Sequence, residues 1–241
     1  MFIDDQLGEK MLSLEAARKI AAENGWLSLT PPSFRILVLD RCRLEGFKAG
    51  QCIFMAGDPP GGMFGLVAGG LGIAIAPGER GPYFAHLATP GTWFGENAAI
   101  TGQPRRIGLT ATRDAQLMHL PLAKINEIVS KDPEAWRLIA LVTSGHIDMA
   151  IGACDDLMIR DHVKRCVAVL LRLGGCRYRS STASSCAEID FSQDEIAVLA
   201  NVARTTAGSV LRKLEDSGQI EQLYRRIRIL DAEALRARLR D

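Results

Sequence analysis

The chain lacks the spacings that hold metals or staple small secreted folds. None of its six cysteines (Cys42, Cys52, Cys154, Cys166, Cys176 and Cys186) forms C-x-x-C with another. Neither a structural zinc site nor a disulfide framework is expected, and scattered buried thiols are. There is no P-loop, no metal-ligand cluster and no nucleophile with a base at recognisable spacing, so the chain is not expected to be an enzyme. No apolar run looks long enough to span a bilayer. Met1 to Lys10 carry Asp4, Asp5 and Glu9 and show no secretory pattern, so a cytoplasmic protein without a membrane partner is expected. Charge of one sign is also missing, for the net is only +1 over 241 residues. The balance nevertheless tilts along the chain. Residues 159–241 carry 15 Lys and Arg against 11 Asp and Glu, and a basic C-terminal portion is where a nucleic-acid partner would be sought.

What is present falls into three textures. Leu12 to Asn24 have helical spacing, with Leu12, Ala16 and Ile20 in phase and Gly25 as a stop. Pro31-Pro32 opens a short helix from Ser33 to Cys42. From Phe47 to about Leu120, Gly and Pro punctuate short apolar runs: Gln51 to Met55, Met63 to Val67, Leu71 to Ile75, Tyr83 to Leu87, Gly108 to Arg113 and Gln116 to Leu120. The separators include Pro77-Gly78 and Pro90-Gly91. Strands so short and so regularly spaced predict an all-β roll, barrel or sandwich. Helices resume at Pro121. Asp132-Pro133 is a start signal, and Ala140, Thr143, Ile147, Ala150, Cys154 and Leu157 then follow at alternating three and four, a heptad pattern with small residues. It suits either a paired helix or one packed on its own domain. A further amphipathic helix spans Asp161 to Leu173 and stops at Gly174-Gly175. Cys176 to Glu188 is polar and Ser-rich and reads as a loop or weak hairpin.

The stretch from Phe191 to Ile220 is the most informative. Ser192 and Glu195 form a capping box for a first helix, whose apolar face is Ile196, Leu199 and Ala200. Asn201 stands where a sharp turn needs a left-handed residue. A second helix runs from about Arg204 to Asp216, with Val210, Leu211 and Leu214 inward and Arg204, Thr205, Ser209 and Arg212 on the other side. This is helix-turn-helix spacing, and the second helix suits a major groove. Arg204, Thr205, Thr206, Ser209 and Arg212 are the candidate DNA contacts. Arg can bond guanine in a bidentate manner, whereas Thr and Ser are less selective. Ile220 to Leu223 and Ile227 to Leu230 alternate like a two-stranded wing. Arg225 and Arg226 stand at its tip, where they would neutralise phosphates.

These residues resemble the Crp/Fnr family of transcription regulators. The resemblance extends upstream. Gln51-Cys-Ile-Phe-Met-Ala-Gly-Asp58 followed by Met63-Phe-Gly-Leu-Val-Ala-Gly69 resembles the start of that family's β-roll. Gly91-Thr-Trp-Phe-Gly-Glu96 followed by Pro104-Arg105 resembles its phosphate-binding cassette, and the helix after Asp132-Pro133 falls where the family places its dimer helix. The ordered set spans roughly residues 26 to 230. It implies an α+β fold: N-terminal helices and an effector-sensing, cyclic-nucleotide-binding-like β-roll over 1–130, a long dimerisation helix over 131–158, and a winged helix-turn-helix DNA-binding domain over 159–241.

In nucleotide-binding members of the family the Gly-Glu pair approaches the ribose, and Gly95 and Glu96 match. An Arg pairs with the cyclic phosphate, and Arg105 matches. The next two positions, usually Ser or Thr and then Ala, are Arg106 and Ile107. The two hydroxyl residues that hold adenine in cyclic-AMP members are replaced by Ala150 and Ile151. A missing partner in a buried site costs on the order of 1–3 kcal/mol, so cyclic AMP is disfavoured. The resemblance thus implies a pocket of Gly95, Glu96, Asn97, Arg105, Arg106, Ala150 and Ile151 for a cyclic nucleotide or another small anion. A plainer alternative makes Gly95-Glu96 a tight roll turn. No iron–sulfur cluster is expected, because Met1 to Arg41 contain no cysteine. No haem is expected either: His86, His146 and His162 read as packed or exposed residues. The implied function is that of a bacterial, homodimeric, effector-controlled regulator that binds near-palindromic double-stranded DNA and works with RNA polymerase. The alternative is a regulatory subunit acting on a partner protein.

Overall fold

The computed structural model describes residues 11–75, 83–177, 188–189, 191–224 and 226–240. The expected turn at Pro77-Gly78, most of the polar stretch before Glu188, and Arg225 lie outside the described residues. The chain divides into two compact units, Met1–His146 and Ile147–Asp241.

The first unit opens with three helices, α1 (Leu14–Glu23), α2 (Gly25–Ser28) and α3 (Pro32–Leu39). Ser13 caps α1 by accepting from the Ala16 amide, at 3.2 Å, and Pro32 begins α3, where a missing N–H costs nothing. Eight strands follow: β1 (Arg43–Phe47), β2 (Cys52–Phe54), β3 (Gly62–Ala68), β4 (Leu71–Ile75), β5 (Tyr83–Ala88), β6 (Trp93–Phe94), β7 (Ile107–Ala111) and β8 (Ala115–Pro121). They form two antiparallel sheets, ordered β1-β8-β3-β6 and β2-β7-β4-β5. Strands β1 and β6 were not expected from the sequence. Charged, half-exposed β1 and two-residue β6 carry no periodic signal.

Phe54, Phe64, Leu66, Leu71, Ile73, Phe94, Leu109 and Leu117 come from both sheets and fill the interior of the roll. A second core lies on the opposite face of the first sheet. There Met63, Val67, Trp93, Met118 and Leu120 meet Trp26, Leu27, Phe34 and Val38 of the N-terminal helices. Strand β3 is therefore covered on both faces, which is why its sequence is a continuous apolar run rather than an alternating one. The N-terminal helices are also tied to a helix beyond the roll. Trp26 packs edge-on against Trp93 with ring centroids 5.4 Å apart, and its indole N–H donates to the Leu138 carbonyl at 2.6 Å.

After the roll come α5 (Leu122–Lys131) and α6 (Ala135–Met158). The Asp132 carboxylate accepts from the Glu134 amide at 3.1 Å, as the start signal implied. The boundary between the two units falls within α6, at His146. One feature of α6 differs from the sequence expectation: its 24 residues are long and apolar enough, by length and composition, to cross a membrane. The run escapes notice because Gly145, Gly152 and several Ala dilute it, and Arg137, Asp148, Asp155 and Asp156 interrupt it. Along its exposed side lie Ala140, Ser144, Ile147, Ile151, Cys154 and Met158, spaced by four and three. Ile147, Ile151 and Met158 are 55%, 62% and 80% exposed.

In the second unit, α7 (His162–Leu173) is capped by Asp161, which accepts from the Lys164 amide at 2.8 Å. Its middle, Cys166 to Leu171, is buried. The helices α8 (Gln193–Leu199) and α9 (Arg204–Asp216) follow, then α10 (Ala232–Arg240) at the end. Strands β10 (Ile220–Leu223) and β11 (Arg226–Ile229) pair antiparallel, and β9 (Glu188–Ile189) joins β11 on its other edge. That third strand, two residues long, was not expected. Asp156, near the end of α6, is almost wholly buried and accepts from Arg172 of α7 at 2.6 Å.

Candidate functional site

The cassette forms where β6 turns into the short helix α4 (Glu96–Thr101). Gly95 makes the turn with φ 102°, and a side chain there would collide with the Gly62 carbonyl. Only glycine meets both conditions. Glu96 follows and is buried, at 4% exposure. A buried carboxylate requires partners. Its Oε1 has His146 Nδ1 at 2.9 Å and the Thr143 hydroxyl, which donates at 3.4 Å; both side chains are on α6. The His146 ring stacks on Phe94, with centroids 5.2 Å apart and planes at 17°. Thr143 therefore faces the cassette rather than the exposed side of α6. Of the expected heptad positions, Ala140, Ile147, Ala150, Cys154 and Leu157 are exposed and Thr143 is half-buried, while Ser144 and Ile151 are exposed beside them.

Arg105 is buried as well, at 5% exposure. Its backbone is clamped to the preceding turn: its amide donates to the Asp58 carbonyl and its carbonyl accepts from Gly57, both at 2.8 Å. One guanidinium nitrogen, Nη2, donates to the Gly62 carbonyl at 3.0 Å, and the cation lies 3.8 Å from the centroid of the Phe54 ring. Burial lowers its pKa from the ordinary value, while the charges of Asp58 and Glu96 work against that. The other nitrogen, Nη1, lies over Gly95 and has no hydrogen-bond partner among the described residues. The same holds for His146 Nε2 and Asn97 Oδ1. The fold thus brings Gly95, Glu96, Asn97 and Arg105 together. It leaves Arg106 exposed, and Ala150 and Ile151 are exposed on α6.

The DNA-reading surface is built in the second unit. Ser192 accepts from the Glu195 amide at 3.3 Å, and the Glu195 carboxylate accepts from the Ser192 amide at 2.6 Å, which completes the capping box of α8. Asn201 takes φ 49° at the turn into α9. Arg165 of α7 closes that turn by donating to the carbonyls of Ala200, at 2.6 Å, and Asn201, at 3.4 Å. Ala207, Val210, Leu211 and Leu214 hold α9 against the core. Arg204, Thr205, Ser209 and Arg212 are exposed, and Thr206 is half-buried. Arg204 Nε lies 2.7 Å from Asp194 of α8. Gln222 of the wing donates twice to Glu215 of α9, both bonds at 2.7 Å, and accepts from Gln193 of α8 at 2.7 Å. That network ties wing to reading helix. Arg226 is exposed at the wing, and the neighbouring Tyr224 is 91% exposed.

Sequence reasoning missed the side chains that hold these groups: His146, Thr143 and Phe54 in the cassette, and Arg165, Asp194 and Gln222 around the reading helix. A usable signal existed for His146 alone, since it sits one helical turn before Ala150 on a helix already assigned to the pocket.

Two independent family profiles match: the cyclic nucleotide-binding domain over residues 44–132, and the Crp-like helix-turn-helix domain over residues 164–238. The CRP-like cAMP-activated global transcriptional regulator of Mycobacterium tuberculosis is 21% identical over 222 residues, covering 92% of this chain and 99% of that protein. The transcriptional regulator SdrP of Thermus thermophilus is 29% identical over 192 residues, covering 79% of this chain and 91% of that one. Among solved structures, FixK2 from Bradyrhizobium japonicum superposes with a TM-score of 0.69 at 16% identity, covering 81% of this chain and 96% of that one. A nucleotide-binding-type roll, a long helix and a winged helix-turn-helix in this order define a DNA-binding transcription regulator. The chain belongs to the Crp/Fnr family.

Proposed function

We propose that this regulator acts as a homodimer paired through α6, reads a near-palindromic duplex with α9, and is controlled by a small anionic effector held at Glu96 and Arg105. The observation that carries the DNA reading is the division of α9 into a buried apolar face and an outward face of Arg204, Thr205, Ser209 and Arg212. Such a face suits base edges and phosphates in a major groove. The exposed heptad positions of α6 support pairing, because an apolar strip at this spacing is what a second helix covers. Two copies would then present reading helices roughly 34–36 Å apart, one turn of DNA. That arrangement calls for a dyad-symmetric site. The unpartnered Nη1 of buried Arg105 supports an anionic effector.

Cyclic AMP is disfavoured as that effector. Several relatives are named as cAMP-activated, but Ala150 and Ile151 offer adenine no side-chain hydrogen bond. A protein with this function would reside in the cytoplasm and have RNA polymerase as its protein partner. The test is selection from a randomised duplex pool by the purified protein, with and without cyclic AMP. The expected result is a palindromic motif in both arms. A motif confined to the cyclic-AMP arm would overturn the effector reading, and enrichment of no motif in either arm would overturn DNA reading by α9.

A further inference from the structure

We propose that His146 is a built-in occupant of the cassette carboxylate, and that an effector acts by displacing it. This rests on the reading of Glu96 and Arg105 as an effector site and concerns how that site is regulated.

The geometry has three parts. First, the buried Glu96 carboxylate is already satisfied from within the chain. His146 Nδ1 is 2.9 Å from Oε1, and the Thr143 hydroxyl donates to the same atom from 3.4 Å. A ligand hydroxyl that is to donate there competes with groups carried by α6. Second, the His146 ring is held flat against Phe94, so that it is positioned for this bond and not swinging freely. Third, the next residue on α6, Ile147, belongs to the exposed apolar strip. Loss of the Glu96–His146 bond therefore releases α6 one residue from the surface on which pairing depends.

The experiment uses the full chain as wild type, His146→Ala and His146→Gln, with cyclic AMP as the probe. Its adenine finds no side-chain partner, so binding is expected to be weak, but its ribose hydroxyl and cyclic phosphate are the groups suited to Glu96 and Arg105. Binding is followed by calorimetry at probe concentrations high enough to register weak affinity. His146→Ala is expected to bind the probe about tenfold more tightly than wild type. His146→Gln, which can still donate to Glu96, should stay close to wild type. Equal affinity in all three proteins, weaker binding by His146→Ala, or no binding by any of them would each overturn displacement, because a freed Glu96 must then have gained no ligand. Failure of the regulator reading is a separate result, seen as no duplex enriched by the wild-type protein.

Discussion

Arg204, the first residue of the reading helix, is held by Asp194 of the preceding helix at 2.7 Å, with both side chains largely exposed. An exposed pair of this kind adds at most about 1 kcal/mol to stability, so its effect is on orientation. Asp194 restrains the guanidinium before DNA arrives, and its own negative charge opposes nearby phosphates. Replacing Arg204 with Ala should cost about 1–3 kcal/mol of discrimination at one base pair. Replacing Asp194 with Ala should strengthen binding to all duplexes while flattening base preference. Competition shift assays with single-base variants of the selected site measure both. An unchanged preference in the Arg204 variant would show that another face of α9 reads the site.

The wing should behave differently. Arg226 lies 3.8 Å from Glu188 and is half exposed, next to the strand pair that Gln222 ties to α9. A phosphate contact carries no sequence information. Arg226→Ala should therefore weaken binding to specific and random duplexes alike. It should also reduce the slope of log affinity against log salt by about 0.9. A change of preferred sequence with an unaltered slope would mean that the wing reads bases.

The contrast between these two surfaces explains what could be read in advance. The helix-turn-helix is local: the Ser192–Glu195 box, the left-handed Asn201 and the inward Val210, Leu211 and Leu214 all lie within one short stretch, where period and capping are decisive. The cassette is not local. His146 meets Glu96 across 50 residues, and Arg105 meets the Gly62 carbonyl across 43. Periodicity holds no information about such pairs, so a helical His with no neighbouring ligand reads as a packed or exposed residue. Thr143 departs from expectation for a related reason. Positions 143 and 144 fit a three-four alternation almost equally well, and only the presence of a buried carboxylate decides which of them turns inward.

The capping box offers a test of stability. Ser192 and Glu195 satisfy two amides at the start of α8, and α8 packs against the reading helix. Ser192→Ala should destabilise the DNA-binding unit by about 0.5–2 kcal/mol. The melting temperature should fall, and DNA affinity at low temperature should be nearly retained. If affinity is lost with no change in melting, Ser192 contacts DNA instead.

Acid should cost the N-terminal unit stability through two paired surface carboxylates. The Lys124 ammonium donates to Glu127, and with Lys131 it holds that carboxyl down at about 2, against an ordinary 4.5. Asp114 is lowered by its bonds from the Lys48 ammonium and the Ala49 amide. A carboxyl whose folded-state pKa is depressed contributes stability above its unfolded value, and that contribution is lost as pH falls through the folded one. For Glu127 the window runs from about 4.5 down to about 2. Denaturant titrations between pH 6 and pH 2.5 should show wild type losing more stability than Glu127→Gln. Parallel curves for the two proteins would mean that the pairing persists in the unfolded chain.

Pairing through α6 makes a chemical prediction. Cys154 is exposed, and it lies between Ile151 and Met158 on the strip spaced by four and three. In a parallel pair with this strip at its centre, each Cys154 faces its twin, and a disulfide needs Cα atoms roughly 4.4–6.8 Å apart. Mild copper-phenanthroline oxidation should give a covalent dimer, and Cys154→Ser should abolish it. Cys42 provides an internal control: burial raises its thiol to about 12, so it should stay unmodified while the fold is intact. Ile151→Asp places charge on the strip and should convert the dimer to monomer in sedimentation experiments, with loss of binding to the full palindrome. Cross-linking that survives Cys154→Ser but is abolished by Cys52→Ser, at the other exposed cysteine among the described residues, would mean that the two copies meet through the β-roll and that α6 is not the pairing helix.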